Sequence, residues 1–121
     1  MTPQLTTIEC INLLLTRVPE LKPVYDEHMH DYEELLPHVF LGDVTRYVVT
    51  QARCGEISPG RPLDRILDVL NQCLAGGDEQ VKELVAVSFV ENLLEHEEVL
   101  TILKELIGPH LQKEFKDYGR R

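Results

Sequence analysis

The chain has 121 residues, 43% of them hydrophobic, and a formal net charge of −9. That length supports one core without disulfides or a metal, and the apolar content excludes disorder over most of the chain. The charge argues against nucleic acid as a partner, because phosphate contacts dominate such binding, and no apolar run reaches the roughly 18–20 residues of a membrane helix.

The opening MTPQLTTIEC has no basic segment leading into an apolar one, so it does not read as a signal peptide, and a cytoplasmic location is expected. Thr2-Pro3 reads as a cap and first-turn proline. Leu5, Ile8, Ile11, Leu15 and Val18 then recur at helical spacing as far as Pro19. Leu21, Val24, Tyr25, His28, Tyr32, Leu35 and Leu36 predict a second helix, which Pro37 interrupts. A third runs from Pro37 to about Arg53, with Phe40, Leu41, Val44, Tyr47, Val48 and Ala52 on one side. Its β-branched run VTRYVVT leaves a short strand as the competing reading.

Cys54 to Pro62 is the one real loop, and it is expected to join two halves of a single domain spanning 1–121, with Gly119–Arg121 frayed. Beyond it, Pro62 starts a helix striped by Leu63, Ile66, Leu67, Leu70 and Leu74, and Gly76-Gly77 ends it. Asp78 is placed to cap the next helix, which extends to about Glu95. Its middle, Leu84 to Val90, is apolar on nearly every side, which predicts a central helix; a strand competes for AVSFV. Val99, Ile102, Leu103, Leu106 and Ile107 form another helix closed by Gly108-Pro109. Leu111, Phe115 and Tyr118 form the last. The predicted fold is all-α: a compact bundle of six to seven short helices, with HEAT-like stacked helical hairpins as an alternative arrangement.

Chemistry is harder to find in the pattern. Cys10, Cys54 and Cys73 are odd in number, far apart and without CxxC spacing, so they read as buried or half-buried thiols in a reducing compartment. The densest set of potential metal ligands is His28, His30, Glu34 and His38, with His96 later in the chain. Glu27-x-x-His30 supplies one half of a di-iron helix motif, but Glu91 and His96 are five apart and break the other half. A metal-binding bundle or metal-dependent enzyme is therefore the minor reading, and no cofactor is expected. Ser58 and Ser88 lack a nucleophile context, and Ser88 is expected to bond back to a helix carbonyl. Gly42 inside a helical pattern costs about 1 kcal/mol against alanine, so close approach of a neighbouring helix is expected there. Asp43 and Arg46 are spaced to pair with each other or with a helix opposite, and the string Leu35–Arg46 is a minor candidate for part of a partner-binding surface.

The charge pattern speaks more clearly. Six acids and no Lys or Arg fall between Pro23 and Thr45; seven acids and the single Lys82 fall between Asp78 and Leu103. Merged into one face, the two stretches would attract a basic partner. The candidate partner-binding residues are Asp26, Glu27, Asp31, Glu33 and Glu34 of the second helix and Glu95, Glu97 and Glu98 after the central one. Tyr25 and Tyr32 are the candidate aromatic anchors. A regulatory adaptor would present the same features.

The strings LLPHVFLGDVTRYVV, GDEQVKELVAVSFVENL and LIGPHL resemble a family of small bacterial domains with no assigned activity, over about residues 30–112. Small acidic helical domains of this kind are similar to the immunity proteins that neutralise bacterial toxins. The resemblance implies a non-catalytic binder of a basic toxin and carries over no residue roles.

Overall fold

The structure is a computed structural model that describes residues 4–118. The expected Thr2-Pro3 cap and the frayed Gly119–Arg121 lie outside the described residues. Within them the chain is all-α, with no β-strand.

Helix α1 spans Thr7–Arg17 and starts at a capping box. The Thr6 hydroxyl accepts from the Glu9 N–H at 3.2 Å, and the Glu9 carboxylate accepts from the Thr6 N–H at 3.1 Å. Leu5 precedes this box and forms an isolated parallel bridge with Gly77, using Leu5 N–H to the Gly76 carbonyl at 2.8 Å. The buried stripe of α1 is therefore Cys10, Ile11 and Leu14, followed by Val18. Ile8, expected on that stripe, is exposed.

A 3-10 turn, Pro19–Leu21, leads into α2, Lys22–Tyr32. α2 stops earlier than the sequence pattern predicts. Glu33 takes a left-handed conformation (φ 60°), its N–H bonds the Met29 carbonyl, and the next residues form the connection to α3. Leu35 and Leu36 therefore lie off the helix.

Helix α3, Pro37–Arg53, is the axis of the fold. Its buried residues Phe40, Leu41, Val44, Thr45, Val48, Val49 and Ala52 explain the β-branched run: these side chains are packed on several sides, and packing overrides strand propensity. Helix α4, Pro62–Gly76, is reached through the expected loop. Arg65 ties that loop down, donating to the Gly60 carbonyl at 3.0 Å, to the Arg17 carbonyl at 2.9 Å and to the Glu20 carboxylate.

Residues 79–94 form one continuous rod made of α5 (Glu79–Val85), a π-helical turn (Ala86–Val90) and α6 (Glu91–Leu94). The Asp78 carboxylate caps it, accepting from the Val81 N–H at 2.9 Å. AVSFV, the segment with strand character, is the π turn. At this turn the Ser88 carbonyl accepts two side-chain donors, Thr45 Oγ1 at 2.9 Å and Asn92 Nδ2 at 2.8 Å. Ser88 does not bond back along its helix. Its hydroxyl pairs with His38 Nδ1 at 2.8 Å.

Helix α7 is short, Glu97–Leu103, and hydrogen-bonded turns from Leu106 and Ile107 N–H to the Leu103 carbonyl follow it. Helix α8, Pro109–Tyr118, borrows its N-terminal cap from another helix. Asn71 Oδ1 on α4 accepts from the His110 and Leu111 N–H groups at 3.0 and 3.3 Å. Leu111 is buried and Phe115 packs edge-on to Phe89 with ring centroids 6.4 Å apart; the Tyr118 side chain lies outside the described residues.

The buried side chains form one apolar cluster reaching from Cys10 to Leu111. Helices distant in sequence pack directly: α1 on α4, α4 on α8, and α3 and α8 on the π turn. A stacked solenoid would restrict contacts to neighbouring hairpins, so the compact bundle is the observed arrangement. Among the described residues no helix is long and apolar enough to cross a membrane.

Candidate functional site

Two clefts flank α3. The first, about 480 Å³, lies between α2 and α3. Val24, Glu27, Asp31 and Tyr32 line it from α2, and Asp43, Arg46, Tyr47, Thr50 and Gln51 line it from α3. The helical repeat sets this composition. Glu27 and Asp31 are four apart, as are Asp43 and Tyr47, so each pair rises on one side of its own helix.

Its electrostatics are lopsided. Three carboxylates, on Glu27, Asp31 and Asp43, stand against one guanidinium, on Arg46, a formal charge of −2. Arg46 pairs with Asp43 through Oδ1, and its side chain is 77% exposed. Two phenols complete the walls. Tyr32 is exposed, and burial pushes the hydroxyl of the half-buried Tyr47 above its ordinary titration range.

His28 stands behind this cleft. Its side chain is fully buried, stacked obliquely on Tyr32 at 5.0 Å and edge-on to Phe40 at 5.7 Å. Nε2 accepts a hydrogen bond from the Leu36 N–H at 3.0 Å, which fixes the start of α3 against α2. A neutral ring that accepts at Nε2 carries its proton on Nδ1. That Nδ1 has no hydrogen-bond partner, and it is the one buried side-chain polar atom so left among the described residues. It faces Asp43 Oδ2 at 3.9 Å, beyond hydrogen-bonding reach.

The second cleft, about 430 Å³, is lined by Gly42, Thr45, Val49, Arg53, Asn92, Glu95 and His96, and it shares Arg46 and Thr50 with the first. Its charge is mixed. Arg53 donates to Glu98 at 2.7 Å and lies 3.4 Å from His96 Nδ1, and its hydrogen bond holds the Glu98 carboxyl below the usual carboxylate range.

The structure thus gathers some of the expected binding residues and separates others. Glu27, Asp31 and Tyr32 meet in the first cleft. Asp26 is exposed on α2 but paired with Lys22 at 3.3 Å. Glu33 and Glu34 are exposed in the connection after α2, because the left-handed Glu33 ends that helix. Tyr25 is half-buried and packs edge-on against Phe40 at 5.8 Å, so it serves the core. Glu95 lines the second cleft, Glu98 is paired there, and Glu97 is exposed at the start of α7. The two acidic stretches do not merge into one uninterrupted face, since Arg46 and Arg53 stand between them. Asp43, Arg46 and Tyr47 were not among the expected site residues. For Asp43 and Arg46 the signals were their spacing and their place in the string Leu35–Arg46; Tyr47 carried none.

The proposed metal ligands diverge. His28 Nε2 is taken by Leu36, His38 Nδ1 by Ser88, and His96 sits beside Arg53. Among the described residues no group of three His, Cys, Asp or Glu side chains could hold a metal ion. Cys10 on α1 and Cys73 on α4, far apart in sequence, are brought together as buried free thiols, whereas Cys54 is exposed. The hydrogen bond with Cys73, together with burial, pushes the Cys10 thiol up.

No curated protein and no solved structure matches this chain. A family model matches residues 11–120, more of the chain than the three strings marked out, and the chain belongs to that family, described as a domain of unknown function (DUF7674).

Proposed function

We propose that this chain is a non-catalytic protein-binding module that receives a basic protein partner on its α2/α3 face, in the manner of an immunity protein neutralising a basic toxin in the cytoplasm. The observation that carries this reading is the first cleft, where Glu27, Asp31 and Asp43 converge beside Tyr32 and Tyr47. Carboxylates at the rim of a groove with aromatic walls suit the cationic side chains of a protein surface. The net charge of −9 adds a long-range term that speeds encounter with a basic partner and disfavours acidic ones.

A co-expressed partner tests the reading, and the product of the neighbouring reading frame is the first to try. Its affinity should fall steeply as ionic strength rises from about 0.01 to 1 M, over which the Debye length shrinks from ~30 to ~3 Å. A complex whose affinity stays flat over that range would overturn the electrostatic reading. A neighbour that forms no complex and causes no toxicity would remove its immunity form.

A further inference from the structure

We propose that the α2/α3 cleft is an arginine receptor in which the chain's own Arg46 holds the place of a partner's guanidinium. The inference deepens the protein-binding reading above and rests on it for the source of the arginine.

The cleft already contains the chemistry it would recognise. Arg46 is paired with Asp43 on its wall, so a guanidinium meets that carboxylate without rearrangement of the backbone. Yet Arg46 uses only Asp43; Glu27 and Asp31, across the cleft on α2, form no ion pair with it. A guanidinium entering from outside can present its fork to more than one carboxylate and lay its flat face against Tyr32 or Tyr47. A lysine ammonium, with no planar face, does this less well. Arg46 is well suited to leave. Its side chain is mostly exposed, and a single exposed pair holds a side chain only weakly.

His28 supplies the independent observation. Its Nδ1–H is buried, has no acceptor and faces Asp43 Oδ2 at 3.9 Å, while Arg46 engages the other oxygen of the same carboxylate. A buried donor left without an acceptor is costly and calls for an explanation. When Arg46 withdraws, Asp43 is free to turn, accept from His28 with Oδ2 and still offer Oδ1 to the incoming guanidinium. The unpaired donor is thus satisfied in the occupied state. Exchange of one guanidinium for another then becomes favourable through a group that the ligand never touches.

The test is a nuclear magnetic resonance titration of the full chain with Nα-acetyl-arginine methylamide, and separately with the lysine analogue. The arginine probe should shift the amides of Glu27, Asp31, Asp43 and Tyr47, bind more tightly than the lysine probe, and slow exchange of the His28 Nδ1 proton. Arg46→Gln should tighten binding by about two- to fivefold, the worth of one exposed pair that no longer has to be broken. Arg53→Gln makes the same change in net charge outside this cleft and is the control. Asp43→Asn should abolish the shifts. Because Asp43 lies near the core, Asp31→Asn, at an exposed position, repeats the test with little risk to folding. Equal effects of Arg46→Gln and Arg53→Gln, or shifts unchanged in Asp31→Asn, would overturn the proposal. If the probe fails to bind while a salt-sensitive complex with a basic protein persists, this inference falls and the protein-binding reading stands. If the probe binds as described and no basic protein forms a complex, the reverse holds.

Discussion

Two glycine-to-alanine substitutions should move stability in opposite directions. Gly42 lies inside α3, where glycine costs about 0.8–1 kcal/mol relative to alanine. A methyl group built there comes no closer than 3.9 Å to Asn92 Nδ2, an ordinary van der Waals contact. The close helix approach expected at Gly42 is therefore not what requires glycine. Gly42→Ala should stabilise by about 1 kcal/mol, a rise of roughly 3–5 °C in Tm for a chain of this size. Gly77, at the end of α4, is the opposite case. Its methyl would lie 2.4 Å from the Cys73 carbonyl oxygen and 2.5 Å from Val81 Cγ1. The carbonyl belongs to the last turn of α4 and Val81 is buried in the core, so neither yields easily. Gly77→Ala should cost about 1–3 kcal/mol or more, out of a total stability on the order of 5–15 kcal/mol. Thermal and urea denaturation followed by far-ultraviolet circular dichroism would measure both. The reasoning fails if Gly42→Ala lowers the midpoint, or if the two variants shift it in the same direction.

Three further outcomes follow from particular contacts. A thiol reagent applied to the native protein should modify Cys54 rapidly and Cys10 and Cys73 only as fast as the chain unfolds; uniform labelling of all three would contradict their burial. Asn71→Ala removes the cap that α4 lends to α8, and should cost about 1–2 kcal/mol with hydrogen exchange rising first at His110 and Leu111. Arg65 and Arg53 donate to Glu20 and Glu98 respectively, and these hydrogen bonds hold both carboxyls below their ordinary range. Both pairs therefore stabilise the fold fully above the unfolded value of roughly pH 4.3, and that contribution is lost as pH falls through the lower folded values. Arg65→Gln and Arg53→Gln together should flatten the acid limb of the stability profile, and an unchanged limb would show that the pairs contribute nothing.

The helical period of the apolar residues carried most of the fold. Leu63, Ile66, Leu67, Leu70 and Leu74 line the buried side of α4 as their spacing requires, and Asp78 caps the rod that follows. The pattern misled where a backbone event without a strong sequence signal intervened. Glu33 adopts a left-handed conformation with no glycine to announce it, which cuts α2 short and takes Glu33 and Glu34 off the helix. The π turn at Ala86–Val90 looks, in sequence, like an ordinary apolar helix with strand character. The capping box at the start of α1 was legible but unread: Thr6 is followed three residues on by Glu9, which completes it.

The cleft was legible only in halves. The acids of α2 stood out by charge, but Asp43 read as a partner for Arg46 and Tyr47 as an ordinary member of the helical stripe on α3. Their joining depends on α2 packing beside α3, where the Leu36 N–H of the connection donates to His28 Nε2 eight residues back. The meeting of Cys10 with Cys73 is a tertiary event of the same kind, invisible to spacing rules that look for neighbouring cysteines.

Under the proposed function, position and not net charge alone would direct a basic partner to the α2/α3 cleft. The most direct measurement compares two doubly neutralised variants against the same partner: Glu27→Gln/Asp31→Asn in the cleft, and Glu83→Gln/Glu105→Gln at exposed sites outside it. Both remove two negative charges. The cleft variant should weaken binding by about tenfold or more, which corresponds to ~1.4 kcal/mol, while the distant variant changes it by no more than about twofold. Equal losses in the two would mean that a diffuse field, with no particular cleft, does the binding.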